Sequence, residues 1–480
     1  MRRPVPRETL KRAFGRKDVM PSYDVVVIGA GAAGLTAGAL LAKEGKRVVV
    51  LDRSPHLGGR ALAVPDEGFT VNLGGHLVED GGSGLTKVFE HVGKELIHGE
   101  VSREMPIWEN GTGWGSIRDR YTDRTELKKV IKALVDTPYE ALDDWDDRSL
   151  REWIHQHTDD QGVVDLFEFI SVLECMTDNW YDHSASDNLY VRKMHFEERG
   201  TAAYSFWPGQ GWDGMWRDLA DAITEHGGEL RLGTSVERVV IENGRVAGVA
   251  IGREPKIMPN EFFEEEILAA PAVISTLPVW NVLNVVPRSA LPEWYASQIE
   301  FLAQDKFRIA WLGLYLATEE PVTRFDPREL STWTATPSTD CSGFMFDQSA
   351  MDPTCSPPGT HLHVMGAIIP GAKGRDREWC RATMEAFERD IETMWPGFAK
   401  PIWRRRHLVF EPSFGVIQMP GLVGRYRPHW RAPNVEGLWF ASETFRSRGI
   451  GTDRAARAAL TCVEDYLGTR IPTFGDGWRY

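Results

Sequence analysis

Two glycine clusters with an acid between them carry the clearest chemistry in this 480-residue chain. Gly29-Ala30-Gly31-Ala32-Ala33-Gly34 has the spacing G-x-G-x-x-G, and Asp52 follows 23 residues after Gly29. The first glycine allows a tight turn, the second lets the backbone approach a pyrophosphate, and the third permits close helix packing. A helix that starts at such a turn points its free N–H groups at phosphate charge. Asp52 can accept hydrogen bonds from a ribose and would repel a 2′-phosphate. Gly58-Gly59-Arg60 lies six to eight residues beyond Asp52. Its glycines again admit a close backbone, and Arg60 can neutralise pyrophosphate charge that the helix leaves exposed. The plain alternatives are a glycine-rich turn without ligand and a surface arginine.

Other reactive side chains give weaker signals. His76 can take or give a proton near neutral pH, or simply hydrogen-bond backbone. His361 and His363 share a strand face but have no apparent third ligand, so no metal site is expected. Asp143, Asp144, Asp146 and Asp147 suggest a solvated helix start, and Arg404 to Arg406 a surface. The aromatics Phe167, Phe169, Trp180, Tyr181, Tyr204, Phe206, Trp207, Trp212 and Trp216 could line an apolar pocket, although most are expected in the core.

The elements that must position the glycines are legible. Asp24–Ile28 is a β-branched run of the kind buried in parallel sheets, Leu35–Glu44 predicts a helix stopped by Gly45, and Arg47–Asp52 predicts a second buried strand. Together they form a βαβ unit. Later come a helix over Met215–His226, a hairpin of Val236–Ile241 and Arg245–Ile251 turning at Asn243-Gly244, and one strand within 266–278. A strand within 434–443 and a helix over Gly451–Leu467 close the chain.

Composition narrows the classes. The 69 acidic against 55 basic residues give a net charge of −14, which argues against nucleic acid as a partner. Five cysteines without a CxxC pair fit a reducing, cytoplasmic setting. Residues 25–42 carry no charge, but strand, glycine turn and helix explain that better than a membrane span. The first 22 residues hold seven Lys/Arg against two acids without a secretory h-region, which leaves a peripheral membrane contact open.

With DxxxxxGGR following the G-x-G-x-x-G unit, the chain from Tyr23 to Leu467 resembles the FAD-dependent amine oxidase and phytoene desaturase superfamily. The resemblance implies an α/β fold of two domains. One is a discontinuous Rossmann-like FAD-binding domain over 23–100, 205–285 and 430–470; the other is a mixed α+β substrate domain over 101–204 and 286–429. A basic arm, 1–22, and a tail, 471–480, flank them. FAD is then the resident cofactor. Its contacts are Gly29, Gly31, Ala33, Gly34, Asp52, Arg53, Gly59 and Arg60, with Gly74 and Gly75 on the flavin side and Val236 at adenine. Thr276, Ser442 and Glu443 follow the ribityl chain, and Gly451 and Thr452 meet the flavin carbonyl.

For catalysis the resemblance implies His76 beside the flavin and Lys306 facing it, the latter alternatively a solvated lysine at a strand start. Ile450, where amine oxidases place a cage aromatic, is closer to the phytoene desaturase, carotenoid isomerase and retinol saturase branch; Ser442-Glu443 is closer to the amine oxidases. The expected activity is hydride transfer between flavin N5 and a carbon of a largely apolar substrate, with desaturation, saturation or isomerisation of C–C or C=C bonds. An amine oxidase acting on a C–N bond is the first alternative, and a non-catalytic prenyl-binding escort protein the second. The electron acceptor (oxygen, a quinone or another) and the oligomeric state are left open.

Overall fold

The computed structural model describes residues 22–79, 84–102, 104–119, 124–175, 183–198, 202–205, 211–252, 266–410 and 415–474. All of the basic arm except Ser22 and the last six residues of the tail therefore lie outside the described residues, as do Trp180, Tyr181, Phe206 and Trp207.

Strands β1 (Val25–Ile28), β2 (Val48–Leu51), β3 (Glu229–Arg231), β4 (Val273–Ser275) and β5 (Leu438–Phe440) form one parallel sheet in the order β3-β2-β1-β4-β5. Three distant stretches of chain thus share a sheet. Both faces of β1 and β2 are buried, which explains their unbroken valine runs. Side chains alternate across a strand, so Val25, Val27, Val48 and Val50 join one apolar cluster and Val26, Ile28, Val49 and Leu51 the other.

Helix α1 (Ala32–Lys43) packs on the first face and is buried along nearly its whole length. It starts three residues before the sequence-based expectation, so Ala33 and Gly34 form its first turn. A Cβ at Gly34 would overlap the Gly29 carbonyl oxygen, and one at Gly38 would lie 2.5 Å from a Val50 methyl. These small residues let α1 sit directly on the sheet. No helix among the described residues is long and apolar enough to cross a membrane.

The Asn243-Gly244 hairpin joins Ser235–Glu242 to Arg245–Gly252, with positive φ at both turn residues (50° and 76°) as that turn type demands. Instead of one strand within 266–278 there are two, Glu266–Ala269 and β4, because the chain passes through Pro271 between them. Proline offers no N–H to a ladder.

A second, seven-stranded sheet runs in the order Trp403–Phe410, Ile309–Thr318, His361–Pro370, Gly343–Asp347, Ser331–Trp333, Pro106–Glu109 and Gly113–Ser116. Its second strand, Ile309–Thr318, is buried at every position. Trp311 and Tyr315 face Phe69, Val71, Phe344 and Phe346, whereas Leu312, Leu314 and Leu316 lie in the other cluster with Phe387 and Ile391 of the helix Arg377–Met394. Trp212, Trp216 and Phe167 are core residues.

One expectation fails outright. Asp146 is not solvated: it is fully buried and pairs with Arg448 at 2.6 Å. Arg448 also reaches Asp143 and, at 3.0 Å, the buried Asp187 of α2 (Ala185–Glu198). Asp187 in turn binds Arg454 of α3 (Gly451–Leu467) at 2.8 Å, and Arg457 pairs with Asp453 at 2.7 Å. Burial pushes the Asp187 carboxyl up, but Arg454 and Arg448 outweigh it and bring it down to about 2.

A carboxyl held below its ordinary value stabilises the fold fully above that value, and the contribution is lost as pH falls toward the folded value. Asp187→Asn, which takes the carboxylate from the buried Arg454 and one of three from Arg448, should cost about 3–5 kcal/mol in chemical denaturation at neutral pH. The wild type should also lose stability between about pH 4 and 2 with a component that the variant lacks.

Candidate cofactor and active site

The glycine turn sits at the carboxyl end of β1, where open α/β sheets bind ligands. Gly29 has φ of +107°, and the Thr276 hydroxyl packs where its Cβ would be while donating to the Ile28 carbonyl at 2.8 Å. Helix α1 is capped at Gly31 by no side chain, so its first N–H groups remain available to an anion. Gly31 pairs with Gly58, whose N–H donates to the Ala30 carbonyl at 2.9 Å. A Cβ at Gly59 would come within 3.2 Å of Gly31 Cα. The two glycine clusters therefore form one backbone cradle.

Asp52 has a role that its spacing did not announce. Its carboxylate accepts from Ala30 N–H at 2.6 Å and from Ser54 N–H at 2.7 Å, fixing the first turn to the segment after β2. Each carboxylate oxygen keeps a second lone pair for a ribose hydroxyl. Arg53 is exposed beside it. Val236 opens the hairpin just after Thr234, whose N–H donates to the Asp52 carbonyl at 2.7 Å.

Arg60 reaches across to the C-terminal stretch and binds Glu443 at 2.6 Å. Burial pushes the Glu443 carboxyl up, yet the charge and hydrogen bond of Arg60 hold it below the ordinary value. Ser442 Oγ donates to the same oxygen at 3.0 Å, and Glu443 Oε1 is buried with no hydrogen-bond partner. A buried carboxylate oxygen left open in this way fits a ligand hydroxyl. Gly451 and Thr452 begin α3, whose cap residue Ile450 contributes no side-chain bond. The donors and cradle fit FAD: backbone and α1 for the pyrophosphate, Asp52 and Glu443 for hydroxyls.

Gly74 has φ of +78°, Gly75 N–H lies 3.3 Å from the Arg60 carbonyl, and the turn delivers His76 to the second sheet. There its ring lies 5.7–6.4 Å from the rings of Phe346, Phe344, Trp311 and Tyr315. Both ring nitrogens are buried without hydrogen-bond partners. Burial lowers the imidazole to about 3. The expectation of a group that changes charge near neutral pH is therefore corrected: His76 is a neutral ring in an apolar wall.

Lys306 follows the second of its two readings, a solvated lysine, and not the flavin-facing one. It is exposed in a short turn, Asp305–Phe307, with its ammonium 4.7 Å from the Phe307 ring centre and 5.6 Å from that of Phe301. Phe301 is itself exposed. Arg308, two residues on, points instead to the Trp280 ring at 4.7 Å, which Arg60 also approaches at 5.9 Å. Sequence reading missed Trp280 and Arg308, because neither lies in a motif. His361 pairs with Asp347 at 3.0 Å and His363 contacts Thr318 at 3.1 Å; no metal-binding group occurs among the described residues.

The chain belongs to the flavin containing amine oxidoreductase family, whose model matches residues 32–466. It is 26% identical to a phytoene dehydrogenase of Streptomyces griseus over 75% of this chain and 76% of that protein. It is 29% identical to a putrescine oxidase of Kocuria rosea over 32% of this chain and 35% of that one. An oxidoreductase structure from Methanosarcina mazei superposes with a TM-score of 0.72 at 19% identity, covering 92% and 99% of the two chains. The protein is an FAD-dependent oxidoreductase.

Asp52→Lys and Glu443→Lys should each abolish FAD retention, read from flavin absorbance of the purified variants; normal occupancy in both removes these residues from the site. His76 should show no imidazole titration by NMR from pH 5 to 8, and an inflection near its ordinary 6.5 would contradict the buried neutral ring.

Proposed function

We propose that this enzyme desaturates, saturates or isomerises C–C or C=C bonds of a largely apolar substrate. The supporting observation is the wall around His76. Four aromatic rings surround it, and burial alone lowers its imidazole, with no charged neighbour contributing. A hydrocarbon can lie against such a wall without losing hydration of a charge, whereas an ammonium would be desolvated there without a carboxylate to compensate. The phytoene dehydrogenase relative supports the same reading.

Bound FAD supplies hydride transfer at N5 of its ring. The chain's own part is orientation and exclusion of water. Arg60 and Glu443, an ion pair, would hold one end of the cofactor and the α1 turn its phosphates, and the apolar wall of His76, Trp311 and Phe344 would exclude water from the reacting region. Desaturation would require an acceptor such as oxygen or a quinone for the two electrons removed, saturation would require a reductant, and isomerisation would require neither. Oxidation of an amine C–N bond is the second reading, favoured by the family and by the putrescine oxidase relative.

Anaerobic titration of the FAD-loaded enzyme separates the two. An isoprenoid polyene should change the flavin spectrum or be converted, and putrescine should not. Bleaching by putrescine, with the polyene unchanged, would establish the amine reading instead.

A further inference from the structure

A cleft of about 590 Å³ opens outside edge strand β5, away from the glycine turns. Trp294, Gln298, Arg425, His429, Arg431 and Arg446 line it, with Arg427 in its wall and no acidic side chain in the lining. Its size is that of a small-molecule site. On a chain of net charge −14, four arginines converging on one concavity concentrate a field opposite to that of the whole molecule.

The arginines differ in how their charge is met. Arg431 is held by Asp465 at 2.8 Å and Arg425 lies 3.6 Å from Asp147. Arg427 is buried and donates to the carbonyls of Leu422, Val416 and Glu443. Among the described residues Arg446 meets no carboxylate and its buried Nε has no hydrogen-bond partner; its Nη2 donates to the Arg425 carbonyl at 2.9 Å. Beside this cation, the Trp294 indole is 63% exposed on the first turn of the helix Glu293–Leu302.

We propose that the cleft binds a small organic anion bearing a planar ring, the ring against Trp294 and a phosphate or carboxylate on Arg446. Guanidinium suits such groups through paired N–H donors, and an indole face suits a flat ring. The site is separate from the cofactor site but shares a wall with it, since Arg427 holds the Glu443 carbonyl from behind. The inference does not depend on which substrate the flavin oxidises or reduces.

Calorimetry of the FAD-loaded protein with phenyl phosphate, benzoate, inorganic phosphate and phenol tests it. Phenyl phosphate or benzoate should bind at least tenfold more tightly than inorganic phosphate and than phenol, and whichever binds better identifies the anionic group. Arg446→Met and Trp294→Ala should each weaken that binding at least tenfold with flavin absorbance and melting temperature retained, and Lys128→Met, an exposed lysine elsewhere, should leave it unchanged. If Arg446→Met does not fold, Trp294→Ala carries the test alone. Unchanged affinity in the folded variants, or equal affinity for inorganic phosphate, overturns the proposal. So does binding to anionic vesicles through these residues without binding of either aromatic anion, which would make the face a membrane surface.

Discussion

A carboxylate buried at the end of an edge strand needs a cation, and Glu443 obtains one from the other end of the chain. Arg60 approaches at 2.6 Å from a turn that exists only because Gly58 and Gly59 let two backbones nearly touch. One oxygen of Glu443 is answered by Arg60 and Ser442, and the other is left open. Removing Arg60 would leave a buried charge uncompensated, which is far more costly than losing a surface pair. The cofactor site is thus the place where the first and last parts of the sheet are electrostatically closed.

A second set of buried charges does comparable work for the helical layer. Asp187 on α2 is shared by Arg448 and Arg454, while Asp146 and Asp143 hold Arg448 from another segment. Buried ion pairs are weak evidence for net stability, because desolvation offsets much of their attraction. Their geometry still orients α2 and α3 with respect to each other, since few arrangements satisfy every guanidinium. As α3 begins directly after Ile450, the placement of the turn that precedes it depends on this network.

Much of the α/β framework was legible because its signals are local. The valine runs, the glycine spacing, Asn243-Gly244 and the Ala-rich final helix each report a nearby steric or burial requirement, and each formed the expected element. The glycine turns were legible for the same reason: a missing Cβ has its consequence within a few ångströms. Signals that depended on counting residues across irregular chain did not hold. The flavin-facing reading of Lys306 is the example: the strand register puts Arg308 at Trp280 and leaves the lysine on the surface. The acids at 143–147 had the composition of a solvated turn, and no local pattern could show that Arg448, about 300 residues later, would come to meet them.

The sequence by itself determined the parallel βαβ start, which follows from apolar runs, glycines and an acid within short windows, and its motifs carried the resemblance that implied the family and FAD. Only the tertiary structure decided that Asp52 braces the glycine turn, that His76 is an uncharged part of an aromatic wall, and that four arginines converge outside β5. The physical reason is common to all three. Protonation, desolvation and charge pairing depend on which groups lie within a few ångströms, and those neighbours come from stretches of chain that the fold alone brings together.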